Sequence, residues 1–190
     1  MRYVWITFLT LVAVLLAVFL WPRQSANRSA RTAPTPVAPV VAVVHRVPRA
    51  PTLIANDDDR AEDIIRFARQ QLGTRYCYAG TTPAGGFDCS GFVYYVFKQF
   101  AISVPHSTAQ LISTGRPVER RQARPGDIVV FTGTAATSTT PGHAGIVLSE
   151  PGEPLRFIHS SSARRESGVK ISQVEGSDYE RRFMQVRRVL

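Results

Sequence analysis

At Pro125-Gly126 the chain changes texture, and with it the kind of core it can build. Upstream, apolar residues recur with helical spacing. Ala61, Ile64, Ile65, Ala68 and Leu72 define one face of a helix for which Asp57, Asp58 and Asp59 supply a cap and first-turn negative charge and which Gly73 closes. Phe92, Val93, Val96, Phe97 and Phe100 define a second helical face, and Ser107 or Thr108 caps a short third helix that ends before Gly115. Residues 74–86 between the first two helices read as an aromatic loop. Downstream, residues 127–131, 143–149, 155–159, 169–171 and 183–189 read as strands separated by Pro, Gly, Ser and Thr clusters. Helices first and strands afterwards predict an α+β domain, with helices packed on a mainly antiparallel sheet.

That core has to come from residues 56–190. Residues 25–55 hold Ala, Val, Pro and Arg without a period, including Pro34, Pro36, Pro39, Pro48 and Pro51, and are expected to form an extended, solvated tether. Residues 1–24 contain an apolar run from Tyr3 to Trp21 that, as a helix, reaches about 28 Å, enough to cross a bilayer core. Its length and the absence of a small-x-small site close behind it favour an uncleaved signal anchor over a cleaved signal peptide. Charge is divided in the same way. Residues 1–55 carry six arginines and no acid, whereas residues 56–190 carry 17 basic and 14 acidic side chains. The high net charge thus belongs largely to the leader, and the domain lacks a Lys/Arg stripe interleaved with aromatics, so no nucleic-acid partner is expected.

The stretch GGFDCSGFVYYVF opens the second helix. Asp88 has the side chain to cap the free N–H groups, Gly85 and Gly86 allow a sharp entry, and Ser90 belongs to the helix start. Cys89 then lies in the first turn, where the positive end of the helix is expected to lower its pKa and make a nucleophile of it. A small cysteine that only packs is the competing reading. His143 opens PGHAGIVLSE and His159 ends LRFIHSSS, with a turn-forming EPGEP between them. A hairpin centred near Pro151 or Gly152 sets the two histidines about opposite each other and on one face. Taken with Cys89 they supply the roles of nucleophilic acyl transfer, namely nucleophile, base and tautomer-holding partner. Zinc binding, the other common use of Cys and His, lacks paired short-spaced ligands here, and neither a metal nor an organic cofactor is expected.

At this point the sequence resembles the NlpC-type cysteine peptidases, papain-like bacterial enzymes that cut the stem peptides of peptidoglycan. The matching pieces, in family order, are GTRYCYAG, FDCSGFVYYVF, VPHSTAQL, RPGDIVVF, GHAGIVL, FIHSSS and GVKIS, and they run from about Ala61 to Leu190. The resemblance implies Cys89 as nucleophile, His143 as general base, His159 as the orienting residue, and Tyr76 as a hydroxyl that joins the Cys89 N–H at the oxyanion. It implies a periplasmic, anchored or secreted domain on the exported side of the membrane, acting on stem peptides or cross-links. A wall-binding module without turnover, and an acyltransferase or amidase on a related scaffold, are the alternatives. Cys77 and His106 depart from the family pattern. Cys77 either pairs with Cys89 or stays an inert thiol, and His106 either lines the cleft or lies on the surface. Asp127 serves a turn, and residues 133–140, rich in Thr, Ala and Ser, form a loop at the cleft edge.

Overall fold

The structure, a computed structural model, describes residues 56–163 and 165–190; the expected anchor, the tether and Arg164 lie outside the described residues. Helix α1 (Asp57–Arg69) precedes a small hairpin of β1 (Thr81–Thr82) and β2 (Gly86–Phe87), helix α2 (Cys89–Lys98) and the short α3 (Thr108–Leu111). Strands β3 (Arg116–Val118), β4 (Ile128–Thr132), β5 (Pro141–Val147), β6 (Arg156–Ser161) and β7 (Gly168–Gln173) follow. A last short helix, α4 (Asp178–Arg182), leads directly into β8 (Phe183–Arg188). Strands β3 to β8 form one antiparallel sheet of six strands in the order β3-β8-β4-β5-β6-β7. This is the expected α+β architecture. Among the described residues no helix is long and apolar enough to cross a membrane.

The central strand β4 shows what holds the layers together. Ile128 and Val130 pack against Ile64 and Ala68 of α1 and Phe92 and Val96 of α2. Val129 and Phe131 alternate to the other face, against Val147, Phe157 and Val186, where Tyr179 and Phe183 cover them. Each such side chain contributes about 1.5–3 kcal/mol by leaving water, so covering both faces is what makes β4 the spine of the sheet. At one end of β4, Asp127 accepts the Arg124 N–H at 2.9 Å, which closes the expected turn. Its carboxylate also takes two 2.7 Å hydrogen bonds from Arg188, tying that turn to the last strand. Asp127 is only 1% exposed, and breaking a buried pair of this kind typically costs about 3–5 kcal/mol.

Several elements differ from expectation. Helix α1 ends at Arg69, so the chain turns before Leu72 and leaves it 46% exposed rather than on the apolar face. Asn56, not an aspartate, is the N-cap residue of α1, without a side-chain cap, and Asp57 and Asp58 instead face Arg124 at 3.6 and 3.5 Å. The supposed loop 74–86 contains the β1–β2 hairpin and a bridge from Tyr76 to Phe87. Strand β3 was hidden by Pro117, which an edge strand tolerates. Helix α4 had a legible signal in Ser177 followed three residues later by Glu180. Ser177 Oγ accepts the Tyr179 N–H at 3.2 Å, and the Glu180 carboxylate accepts the Gly176 N–H at 3.0 Å.

Candidate active site

The start of α2 is built by backbone contacts that only glycine permits. Asp88 caps the helix by accepting the Gly91 N–H at 2.6 Å, and the Ser90 hydroxyl donates to the same carboxylate at 3.2 Å. The Asp88 N–H donates to the Gly80 carbonyl at 3.0 Å, and a Cβ on Gly91 would collide with that carbonyl. The segment carrying Tyr76 is thereby locked beside the helix, with the Cys77 N–H on the Phe87 carbonyl at 3.0 Å. The buried Ser160 hydroxyl donates to that same Phe87 carbonyl at 2.7 Å, which fastens β6 to the approach to Cys89.

Cys89 is the first residue of α2, and the backbone N–H groups of Ala144, Ser90 and Cys89 itself lie against its sulfur. The nucleophile candidate therefore meets β5 at the residue next to His143. Its pKa runs against expectation: burial first, and the Asp88 charge second, push the thiol up, and the three N–H groups oppose this without reversing it. Burial of the sulfur is the larger cause, and the carboxylate that caps the helix adds to it by setting a negative charge beside the sulfur whose anion the helix end was expected to favour.

The two histidines are brought together, but not directly opposite each other. Strands β5 and β6 pair at Ile146–Ile158 and Val147–Phe157, a register that puts Gly145 across from His159 and leaves His143 two residues further along the same face. The imidazoles meet on the diagonal, His143 Nε2 to His159 Nδ1 at 2.8 Å, with the rings nearly perpendicular at 86°. Gly145 makes this possible. A Cβ there would stand 2.7 Å from the Phe157 ring, 2.8 Å from the Ile158 carbonyl and 3.0 Å from the His159 Cβ. On its far side His159 Nε2 meets the Ser172 hydroxyl of β7 at 2.9 Å.

Both rings are held neutral. Burial, then Arg182 and Lys170, lowers the His143 pKa to about 3, and burial, then His143 and the same two cations, keeps His159 well below its ordinary value. The wall that buries them was not singled out in the sequence. The Tyr179 ring stacks 5.6 Å from His143 at 28° and stands 5.4 Å from His159, while Phe131 and Phe157 close the remaining sides. Arg182, 5% exposed, lies 5.3 Å over the Tyr179 ring and donates Nε and Nη2 to the Thr132 carbonyl at 3.2 and 2.7 Å. Both side chains are carried by the short helix α4.

Tyr76 has its pKa raised by burial and then by the charges of Cys89 and Asp88, so its phenol remains a proton donor close to the nucleophile. His106 joins the helix cap rather than the imidazole pair, its Nε2 standing 3.1 Å from both Asp88 oxygens and its ring stacked on Tyr94. Cys77 and Cys89 are both free thiols. The loop 133–140 closes on itself through the Gly133 N–H, which reaches both Ser138 Oγ and the Thr140 carbonyl at 3.2 Å. Among the described residues no three His, Cys, Asp or Glu side chains converge as metal ligands would.

Residues 73–188 match the model of the NlpC/P60 family. The chain is 34% identical over 139 residues to Murein DD-endopeptidase MepS/Murein LD-carboxypeptidase of Escherichia coli (strain K12), which covers 73% of this chain and 67% of that one. It is 33% identical over 126 residues to Gamma-DL-glutamyl hydrolase of Bacillus subtilis (strain 168), covering 66% of this chain but spanning only 29% of that relative. Among solved structures, an NlpC/P60 family protein from Bacillus cereus ATCC 10987 superposes with a TM-score of 0.59 at 28% identity, over 68% of this chain and 40% of that one.

A neutral imidazole pair has a consequence for stability. The unfolded histidines titrate near their ordinary value of 6.5 while the folded ones stay unprotonated, so below that value the unfolded state binds more protons. Stability should therefore fall as pH drops from about 7 to about 5, ahead of most carboxylates. Urea unfolding across that range measures the slope, and a His143→Gln/His159→Gln double variant should be nearly flat. A wild-type slope no steeper than that of the double variant would contradict the neutral pair.

Proposed function

The chain belongs to the NlpC/P60 family, and we propose that it is a cysteine peptidase that hydrolyses peptide bonds in peptidoglycan stem peptides or cross-links through a thioester acyl-enzyme. The observation that carries this reading is the 2.8 Å bond between His143 and His159, built beside the residue at which Cys89 meets β5. The substrate class is supported by the likeness to an enzyme named as a murein endopeptidase.

In this mechanism the Cys89 sulfur attacks the scissile carbonyl carbon and its proton passes to His143. Since His143 Nε2 is engaged by His159, Nδ1 is the nitrogen left to receive it. A raised thiol and a lowered imidazole leave the resting pair uncharged, so the proton moves as the carbon–sulfur bond forms, by general-base catalysis. The Cys89 N–H and the protonated Tyr76 hydroxyl receive the oxyanion. The His143 imidazolium then protonates the leaving amine, the C–N bond breaks, and a thioester remains. Water, deprotonated by His143, attacks the thioester and releases the acid and the thiol. Residues 25–55 would carry this domain on the exported, periplasmic side of a membrane in which residues 1–24 are anchored.

Incubating the purified protein with defined muropeptides and weighing the products tests the reaction. Cys89→Ala and His143→Ala should each lower turnover about a thousandfold or more. His159→Asn keeps an acceptor for the His143 N–H and should lose about ten- to a hundredfold, with His159→Ala worse. Full turnover in all three positions' variants would remove the Cys/His mechanism, and transfer of the acyl group to another amine without hydrolysis would favour an acyltransferase. A reporter fused after Leu190 should be active outside the cytoplasm, and activity inside it would overturn the export reading.

A further inference from the structure

The sheet holds a residue at the far end of the imidazole pair that the mechanism above does not use. Ser172, in the GVKIS segment, lies on β7 opposite Phe157, and Lys170 of the same strand lies opposite His159. Its side chain therefore shares the face of both histidines and reaches His159 Nε2 on the diagonal at 2.9 Å. We propose that Ser172 is a positioning residue for catalysis: its hydroxyl is the acceptor that His159 requires at the moment His143 becomes imidazolium. This rests on the peptidase reading and extends the Cys89–His143–His159 chain by one member.

The argument is one of hydrogen-bond direction. A neutral imidazole has one donor and one acceptor nitrogen, and a serine hydroxyl can donate or accept, so hydrogen bonding alone lets a resting chain of His143, His159 and Ser172 run either way. Only the direction with the His143 proton on Nε2, however, leaves Nδ1 open to the thiol proton. Proton transfer removes that freedom. Once His143 carries protons on both nitrogens its Nε2–H must donate, His159 Nδ1 must accept, and the proton of His159 must sit on Nε2. Ser172 Oγ must then be the acceptor. The other neighbours of His159 cannot take that role. Phe157 and Tyr179 present ring faces or edges, with centroids 4.7 and 5.4 Å from the imidazole, and the Lys170 ammonium, a donor only, is engaged by Glu166 at 2.9 Å. His159 is fully buried, so without an acceptor its N–H would be left unpaired in the charged state of the site. The contribution of Ser172 is thus largest in the transition state, and its loss should appear in kcat rather than KM.

Two substitutions of nearly equal shape isolate the hydroxyl. Ser172→Thr keeps it, whereas Ser172→Val replaces it with a methyl group and fills the space a water would need. Both suit a β-strand. The full chain is assayed on muropeptides and also on p-nitrophenyl acetate, an activated ester that requires acylation of Cys89 but no recognition of peptidoglycan. Ser172→Thr should stay within about twofold of wild type, and Ser172→Val should lose about tenfold or more in kcat on both substrates with KM unchanged. Ser172→Ala should follow Ser172→Val. Ester hydrolysis that shows this pattern while muropeptides stay intact would sink the peptidoglycan reading and leave the role of Ser172 standing. Wild-type kcat in Ser172→Val, an equal loss in Ser172→Thr, or a wild type without Cys89-dependent hydrolysis of either substrate would overturn the role of Ser172.

Discussion

Two buried imidazoles can share one short hydrogen bond only if their strands hold them on one face, at a fixed offset and away from water. The bond between His143 and His159 sets these demands, and much of the domain answers them. Strands β5 and β6 supply the face and the offset, and Gly145 allows the close approach that a side chain would prevent. The aromatic residues Phe131, Phe157 and Tyr179 exclude water, and Arg182 fastens the wall by gripping the end of β4. A polar pair in such surroundings is stable only while every nitrogen is satisfied, which is why the far side of His159 ends on a hydroxyl.

The helix start opposes this pair with a different balance. Asp88 makes α2 begin where it does, because its carboxylate accepts the N–H three residues on. The same carboxylate adds a negative charge next to a buried sulfur, and together with burial it outweighs the N–H groups that would favour a thiolate. His106, facing both Asp88 oxygens from the surface, lies against the group that tunes the nucleophile rather than against the nucleophile. The nucleophile and its base are thus each held in the uncharged form by burial, and charge separation is deferred until a carbonyl is present to take up the electrons.

What could be read from the residues followed from strong periodicity and from punctuation. The faces of α1 and α2, the texture change at Pro125-Gly126 and the later strands gave the α+β class, because long amphipathic patterns and Gly/Pro turns act locally. Leu72 misled because one turn of chain after Arg69 changes phase, which no local pattern reveals. The histidine pair was legible as a shared face but not as an offset, since register depends on which strand atoms can approach, and that was decided by Gly145. Tyr179 and Arg182 went unnoticed because their role comes from tertiary contact across the sheet, although the Ser177–Glu180 capping pattern marked the helix that carries them. The thiol pKa was misread for a physical reason: the helix dipole was weighed without the burial of the sulfur and without the charge of the residue that caps the helix.

The central claim is that Cys89 and His143 rest as thiol and imidazole and exchange a proton only during attack. The pH dependence of Cys89 alkylation by iodoacetamide, followed by peptide mapping so that Cys77 is resolved separately, tests it directly. The account predicts a single rise in rate whose midpoint lies above the ordinary thiol value of about 8.5, with no plateau at lower pH. A rapid, pH-independent plateau from about pH 5 to about pH 7 would reveal a preformed thiolate–imidazolium pair and contradict the account.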